Sequence, residues 1–144
     1  MFNASHARAL DHFVAGNYAA SIDWLDNARA LCFDDHERAT IDDLRAYVMI
    51  RAGLFEQADK ALDLAITGFE LADDVMSMSN SLVSRGEIAL RGDQPEQALE
   101  CFERAILGYQ SVGAPTAAML TERLRRDAHV QVATSFVSWS DPAF

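Results

Sequence analysis

The sequence predicts an all-α chain built from stacked helical hairpins, and three observations predict it. A short phrase recurs as Gly16-Asn17-Tyr18-Ala19-Ala20-Ser21-Ile22, Gly53-Leu54-Phe55-Glu56-Gln57-Ala58 and Gly92-Asp93-Gln94-Pro95-Glu96-Gln97-Ala98-Leu99. Each copy runs into the same pair of a large and a small residue: Leu25 and Ala28, Leu62 and Ala65, Phe102 and Ala105. The glycines lie 37 and 39 residues apart (53 − 16, then 92 − 53), a period of the size that stacked helix pairs produce. Apolar residues recur at helical spacing between the turns, so roughly three quarters or more of the chain is expected in helix, with no sheet.

The first helix spans about Asn3 to Ala15, with Leu10, Phe13 and Val14 as its apolar set. Gly16 and Asn17 form the turn, since both tolerate positive φ. The second helix runs from about Tyr18 to Phe33 on a stripe of Ile22, Leu25, Ala28 and Leu31. Asp34 and Asp35 are placed to cap a third helix, because a short carboxylate accepts bonds from free first-turn amides. That helix carries Ile41, Leu44, Tyr47, Val48 and Ile50 and stops at Gly53.

The fourth helix, about Glu56 to Leu71, holds Ala58, Leu62, Ala65, Ile66 and Phe69. Asp73 and Asp74 cap the fifth, which holds Val75, Met78, Leu82, Ile88 and Leu90. Pro95 suits the first turn of the sixth, where its missing amide is not needed. This copy of the turn is one residue longer between Gly and Ala, so its geometry is expected to differ. Pro115 opens a seventh helix to about Ala133, with Met119, Leu120, Leu124 and Val130. A stacked repeat must cover its last apolar face, so this helix is the expected cap. The small residues Ala28, Ala58, Ala65, Ala98 and Ala105 mark places where two helix backbones approach closely, with a larger neighbour filling the gap beside each.

No linker or low-complexity stretch interrupts residues 1–134, which read as one domain. Residues 135–144 contain Phe136, Trp139, Pro142 and Phe144 without a period and read as an extended or disordered tail. An aromatic tail is costly to leave in water. It can fold back, dock on a second copy to make a homodimer, or stay unstructured.

The formal charge is −10, and residues 1–78 hold 14 Asp or Glu against 6 Lys or Arg. That balance argues against nucleic acid, whose phosphates need cations, and against an anionic membrane surface. No apolar run reaches the ~18 residues of a membrane span, and Met1 to His6 resembles no signal peptide. A cytoplasmic protein is expected. Cys32 and Cys101 stand alone and read as inert buried thiols.

Catalytic and metal chemistry find little footing. The histidines His6, His12, His36 and His129 include no pair at i, i+3 or i, i+4, so no helix offers a two-histidine metal face. No phosphate loop or Cys-x-x-Cys is present. The acidic pairs Asp34-Asp35 and Asp73-Asp74 suit helix starts, where the dipole favours them. Arg123, Arg125 and Arg126 form the one basic cluster and suit a salt-bridged surface. Trp24 lies beside the second-helix stripe, either half-exposed or packed on the first helix. No catalytic residue, metal or cofactor is expected.

The three turn phrases, with their large apolar residue followed by Ala, resemble the turn and second-helix signature of the tetratricopeptide-repeat (TPR) family. The likeness covers about residues 3–112. The period exceeds the family's usual length and is similar to the longer repeats of bacterial regulatory proteins. Arg45-Ala46 and Arg85-Gly86 stand where the family shows Leu-Gly or Leu-Ala. The resemblance implies a right-handed superhelix of three TPR-like hairpins plus a C-terminal capping helix. It also implies a concave groove, lined by the first helix of each pair, that binds a peptide or protein segment. Mapped here, the groove comprises His6, Leu10 and Phe13; Asp43, Tyr47, Ile50 and Arg51; Asn80, Val83, Glu87, Leu90 and Arg91; and Arg123 and Asp127. The mapped set lacks lysine, and Asp43 and Glu87 repel a carboxylate, so a carboxylate-clamping pocket is not expected.

The function expected is therefore a non-catalytic adaptor or regulator binding a peptide or helical segment. One alternative is a small secretion chaperone holding an apolar segment of an exported protein. Another is a small-ligand sensor or enzyme with a site between helices.

Overall fold

The turn signals divide the chain into helices, and the computed structural model places seven of them among the residues it describes: the backbone of 2–140 and the side chains of 4, 5 and 7–135. They are α1 (Phe2–Val14), α2 (Tyr18–Ala30), α3 (Asp35–Arg51), α4 (Phe55–Leu71), α5 (Val75–Arg91), α6 (Pro95–Ser111) and α7 (Pro115–Ser140). The described residues contain no strand. The fold is all-α.

From α3 onward the helices begin at residues 35, 55, 75, 95 and 115, a constant step of 20, and α3 to α6 are each 17 residues long. From α3 onward the hairpin period is therefore 40 rather than the 39 read from the glycines, while the first interval, between the left-handed Gly16 and Gly53, keeps its 37 residues. The third turn explains the difference. Its left-handed residue is Asp93 (φ 56°), not Gly92, and it corresponds to Gly53 (φ 79°). Gly53 donates its amide to Ile50 O at 3.1 Å and Leu54 to Met49 O at 2.8 Å. Asp93 and Gln94 repeat this on Leu90 O and Ala89 O at 3.2 and 2.8 Å. The two turns share one helix-ending motif, so the expected difference in geometry is absent. Aspartate also tolerates φ > 0, and the glycine has moved one place back.

Capping alternates with the same period of 40. Asp34 accepts the Glu37 amide at 2.7 Å, and Asp74 accepts the Ser77 amide at 3.1 Å. Leu54 and Gln94, ahead of α4 and α6, cap nothing with their side chains. Asp35 is the first helical residue of α3, and Asp73 is the left-handed turn residue before α5 (φ 54°), so each acidic pair supplies one cap rather than two.

The first hairpin departs from this regularity. Its helices are 13 residues each. Gly16 has φ 78°, whereas Asn17 lies at φ −89° and caps α2 from its side chain rather than sharing the left-handed turn. α2 stops at Ala30, three residues earlier than expected, and the chain reaches α3 through Leu31 to Asp34 without a positive φ.

Packing contacts divide the chain into two compact units, Met1–Ser81 and Leu82–Phe144, with the break inside α5. In the first unit α1 packs on α2, α2 on α3 and α3 on α4. One core gathers Ala9, Leu25, Ala28, Ile41 and Val48; another gathers Ala39, Ala65 and Phe69. In the second unit α6 packs on α7, and Ala89, Ala98, Phe102 and Ala128 form one core cluster. Ala28, Ala58, Ala65, Ala98 and Ala105 are all fully buried, as the close-approach reading requires.

Two glycines mark close approaches between helices. A Cβ at Gly68 of α4 would stand 2.8 Å from the Ala39 Cβ of α3. A Cβ at Gly86 of α5 would collide with the Phe102 ring of α6. Forty residues earlier the corresponding pair is Ala46 and Leu62, both buried. The larger ring is matched by the smaller partner.

α7 continues to Ser140, so the extended reading of the tail fails for residues 135–140. The side chains of Phe136 and Trp139, and all of Phe144, lie outside the described residues. No described helix is long and apolar enough to cross a membrane.

Candidate functional site

α1 and α3 present apolar side chains toward each other above the first core, and they do not close the space between them. A cavity of about 120 Å³ remains there. Ala9, Leu10 and Phe13 line it from α1, Ser21 and Leu25 from α2, and Leu44, Tyr47 and Val48 from α3. Ser21 is the polar residue of its floor, and its hydroxyl donates to Ala9 O at 2.7 Å. That bond satisfies the hydroxyl inside the fold, which leaves an apolar cup.

The rim is exposed. Leu10 keeps 56% of its surface in water and Tyr47 keeps 53%. The Phe13 ring packs against both Tyr18 and Tyr47, with centroids 5.7 and 5.4 Å apart. These rings fix the shape of the cup, since tilted aromatic pairs at such distances hold one another in place.

One turn before Tyr47 on the same helix stands Asp43. It is half-buried, and its Oδ1 accepts a hydrogen bond from the Ser81 hydroxyl of α5 at 2.8 Å. Burial pushes its carboxyl above the usual range, and the Ser81 bond pulls it part way back. Beyond Tyr47 come half-buried Ile50 and exposed Arg51.

A charged clasp lies nearby and was not read from the sequence. Asp42, 1% exposed, is held by Arg29 of α2 at 2.7 and 3.3 Å and by Arg45 at 2.9 Å. Arg45 also reaches Asp26 at 2.8 Å. The clasp fastens α2 to α3 under the irregular link. Arg29 is raised above its ordinary range, first by the hydrogen bond to Asp42. Trp24 is half-buried against the first core, with the Arg8 guanidinium of α1 over its ring at 5.6 Å, so it packs on the first helix. His36 pairs with Asp74 at 2.9 Å, which ties α3 to the start of α5.

The structure thus brings Leu10, Phe13 and Tyr47 together and sets Asp43, Ile50 and Arg51 along the same helix. The His6 side chain lies outside the described residues. Asn80 is exposed on α5. Val83 and Leu90 pack, half-buried, against the core of the second unit, so they work there as core-edge residues. Glu87, Arg91, Arg123 and Asp127 are exposed in that unit.

The second unit has a cavity of about 570 Å³ lined by Gln110, Pro115, Ala118, Met119, Glu122, Arg125 and Arg126. Arg125 is paired there with Glu122 at 2.8 Å. Among the described residues no group of three His, Cys, Asp or Glu is placed to hold a metal ion.

No family model matches the chain, and no curated protein matches it. The fold is similar to that of a solved structure, BtubC (BKLC) from P. vanneervenii, with a TM-score of 0.66 at 14% identity. The match covers 93% of this chain and 64% of that one, so this chain spans under two thirds of BtubC, and the likeness is one of fold.

Proposed function

We propose that this chain is a non-catalytic, TPR-like binding module that holds a helical segment of a partner protein at the cup between α1 and α3. The observation that carries the reading is the cup itself: an apolar recess whose one floor hydroxyl is bonded internally and whose rim leaves Leu10 and Tyr47 in water. Large apolar and aromatic side chains at the mouth of a recess are the usual anchors of an interface, and an amphipathic helix laid in such a groove buries them. The 40-residue hairpin period and repeated helix-ending turns support the TPR-like assignment and a superhelical arrangement.

Affinity capture tests it. Tyr47→Ala and Leu10→Ser remove rim surface and leave the buried core, so melting shifts modestly while partner recovery falls about tenfold. Leu107→Ser, also at an exposed apolar residue but in the second unit, leaves capture unchanged. Folded rim variants that recover the full wild-type partner set overturn the reading.

A further inference from the structure

We propose that the segment held at the cup is a cationic amphipathic helix: its apolar anchor enters beside Tyr47, and a Lys or Arg one turn away pairs with Asp43. This rests on the cup being a binding site and adds the charge of what binds there.

Two adjacent carboxylates of α3 have opposite fates. Asp42 is buried and fully compensated, with Arg29 and Arg45 both within 3 Å of its Oδ1. Asp43, the next residue, has one neutral hydroxyl and, among the described residues, no cation. A carboxylate drawn out of water and left with a single neutral donor lacks the pairing that such groups ordinarily find. Its raised carboxyl expresses the same deficit. An arriving ammonium or guanidinium would supply the missing charge.

Asp43 does not line the cup, but it stands beside it on α3. Residues four apart on a helix have Cβ atoms about 5–6 Å from one another, so Asp43 and Tyr47 lie along one line of α3. A partner helix with an apolar residue against Tyr47 places the residue one turn away against Asp43. Arg51, exposed one turn beyond Tyr47, repels a base on the other side. The partner's cation therefore belongs at the Asp43 end. The wider field agrees, since residues 1–78 carry 14 acidic groups against 6 basic ones, and such an excess draws a cationic segment in. An acidic segment would meet Asp43 with no screening cation.

The test uses the full chain and helix-stapled synthetic peptides of about 16 residues, long enough to hold a helix. Two probes carry a central Leu with one Lys, placed one turn before or one turn after it, so either chain direction is covered. Each has a counterpart with Gln, and one with Glu, in place of Lys. Binding is read by fluorescence anisotropy. At least one Lys probe is expected to bind wild-type protein about tenfold tighter than its Gln counterpart, with the Glu version weakest. On Asp43→Asn that preference disappears, while Glu70→Gln, an exposed acid on α4, keeps it. The Lys-for-Gln comparison on unaltered protein stands even if Asp43→Asn folds poorly. Probes that need Tyr47 but bind equally with Lys or Gln overturn the cationic inference and leave the cup standing. Probes indifferent to both Tyr47→Ala and Leu10→Ser overturn the cup. Equal loss in Asp43→Asn and Glu70→Gln, or no detectable binding of either Lys probe, overturns the proposal.

Discussion

The α2–α3 junction and the repeats that follow it fill corresponding positions with different chemistry. Register them by their turns, and Arg29 of α2 corresponds to Ile66 of α4, while Asp42 of α3 corresponds to Leu82 of α5. Ile66 and Leu82 are buried hydrophobes. Arg29 and Asp42 are an ion pair at 2.7 Å, extended through Arg45 to Asp26. The later copies obey a step of 20 residues and end their helices with one repeated turn; the first copy has short helices and an irregular link. The irregular copy also holds the apolar cup. Strict repetition therefore marks positions that helix packing decides, and the departure at the first copy coincides with the cup.

The largest expected effect breaks that clasp. Arg29→Ala leaves Asp42, 2% exposed at its side chain, with Arg45 as its remaining cation. Removing one partner of a buried pair costs about 3–5 kcal/mol. Since Arg29 itself is about one-third exposed, about 2–4 kcal/mol is expected here. Arg29→Ile with Asp42→Leu installs the residues of the later copy, and replacing a buried pair by hydrophobes is often neutral or stabilising. Denaturant melts of the single and double variants check it. A double variant as unstable as Arg29→Ala would mean that the two copies are not equivalent in packing.

The next effect sharpens the match between small and large partners. Gly86→Ala gains about 1 kcal/mol of helix propensity but drives a methyl into the Phe102 ring, which is fully buried and cannot swing aside. Overpacking of this kind costs about 1–3 kcal/mol, so net destabilisation is expected. Adding Phe102→Leu, the residue found at 62, should recover most of it, a coupling that a double-mutant cycle reads directly. Ala65→Leu and Ala105→Leu, both at fully buried sites, should each cost about 1–3 kcal/mol by the same mechanism. Wild-type melting in either would place these alanines outside the helix contacts.

These comparisons show what was legible in the chain. The helices and their alanines were readable because close backbone approach admits few residue types, so the same small residue returns in every copy. Glycine marks the third turn one residue early, because Asp93 performs the left-handed role there. The tail, without a period, reads as extended or disordered. Yet no Gly or Pro lies between Pro115 and Pro142 to end a helix, and α7 runs to Ser140. At the site, Leu10, Phe13 and Tyr47 were named from the family resemblance and do line one recess. Its floor and the Arg29–Asp42–Arg45 clasp were not foreseen. Contacts between helices 13 or 19 residues apart leave no local spacing to read.

A smaller effect concerns Ser79. Its hydroxyl is buried with no hydrogen-bond partner, while its counterpart 40 residues earlier is the buried Ala39. An unsatisfied buried hydroxyl costs about 1–3 kcal/mol, and removing it leaves a small void. Ser79→Ala should therefore stabilise the fold by about 1 kcal/mol, read as a raised thermal midpoint. A fall would mean that the hydroxyl has a partner the static geometry hides.

The smallest effect depends on pH and compares Asp43 with Asp74. Burial raises the Asp43 carboxyl, with the Ser81 bond partly offsetting it. A folded value above the unfolded one means that its contribution to stability is fully present below about pH 3.9 and is lost as pH rises through the folded value. At pH 7 the ionised group therefore works against the fold, and Asp43→Asn should stabilise the fold there by less than about 1 kcal/mol, read as a raised thermal midpoint. The advantage should shrink on acidification and vanish once the native carboxyl is protonated. Asp74 is the opposite case. The Ser77 side chain lowers its carboxyl most, with His36 also contributing. Its stabilisation is present above the unfolded value and lost as pH falls through the lowered one, so Asp74→Asn should destabilise at pH 7 and converge with wild type in strong acid. Parallel pH–melting profiles of the two variants must therefore bend in opposite senses. If Asp43→Asn is destabilising at pH 7, its carboxylate is already compensated within the fold, and the case for a cation arriving on a partner loses its physical ground.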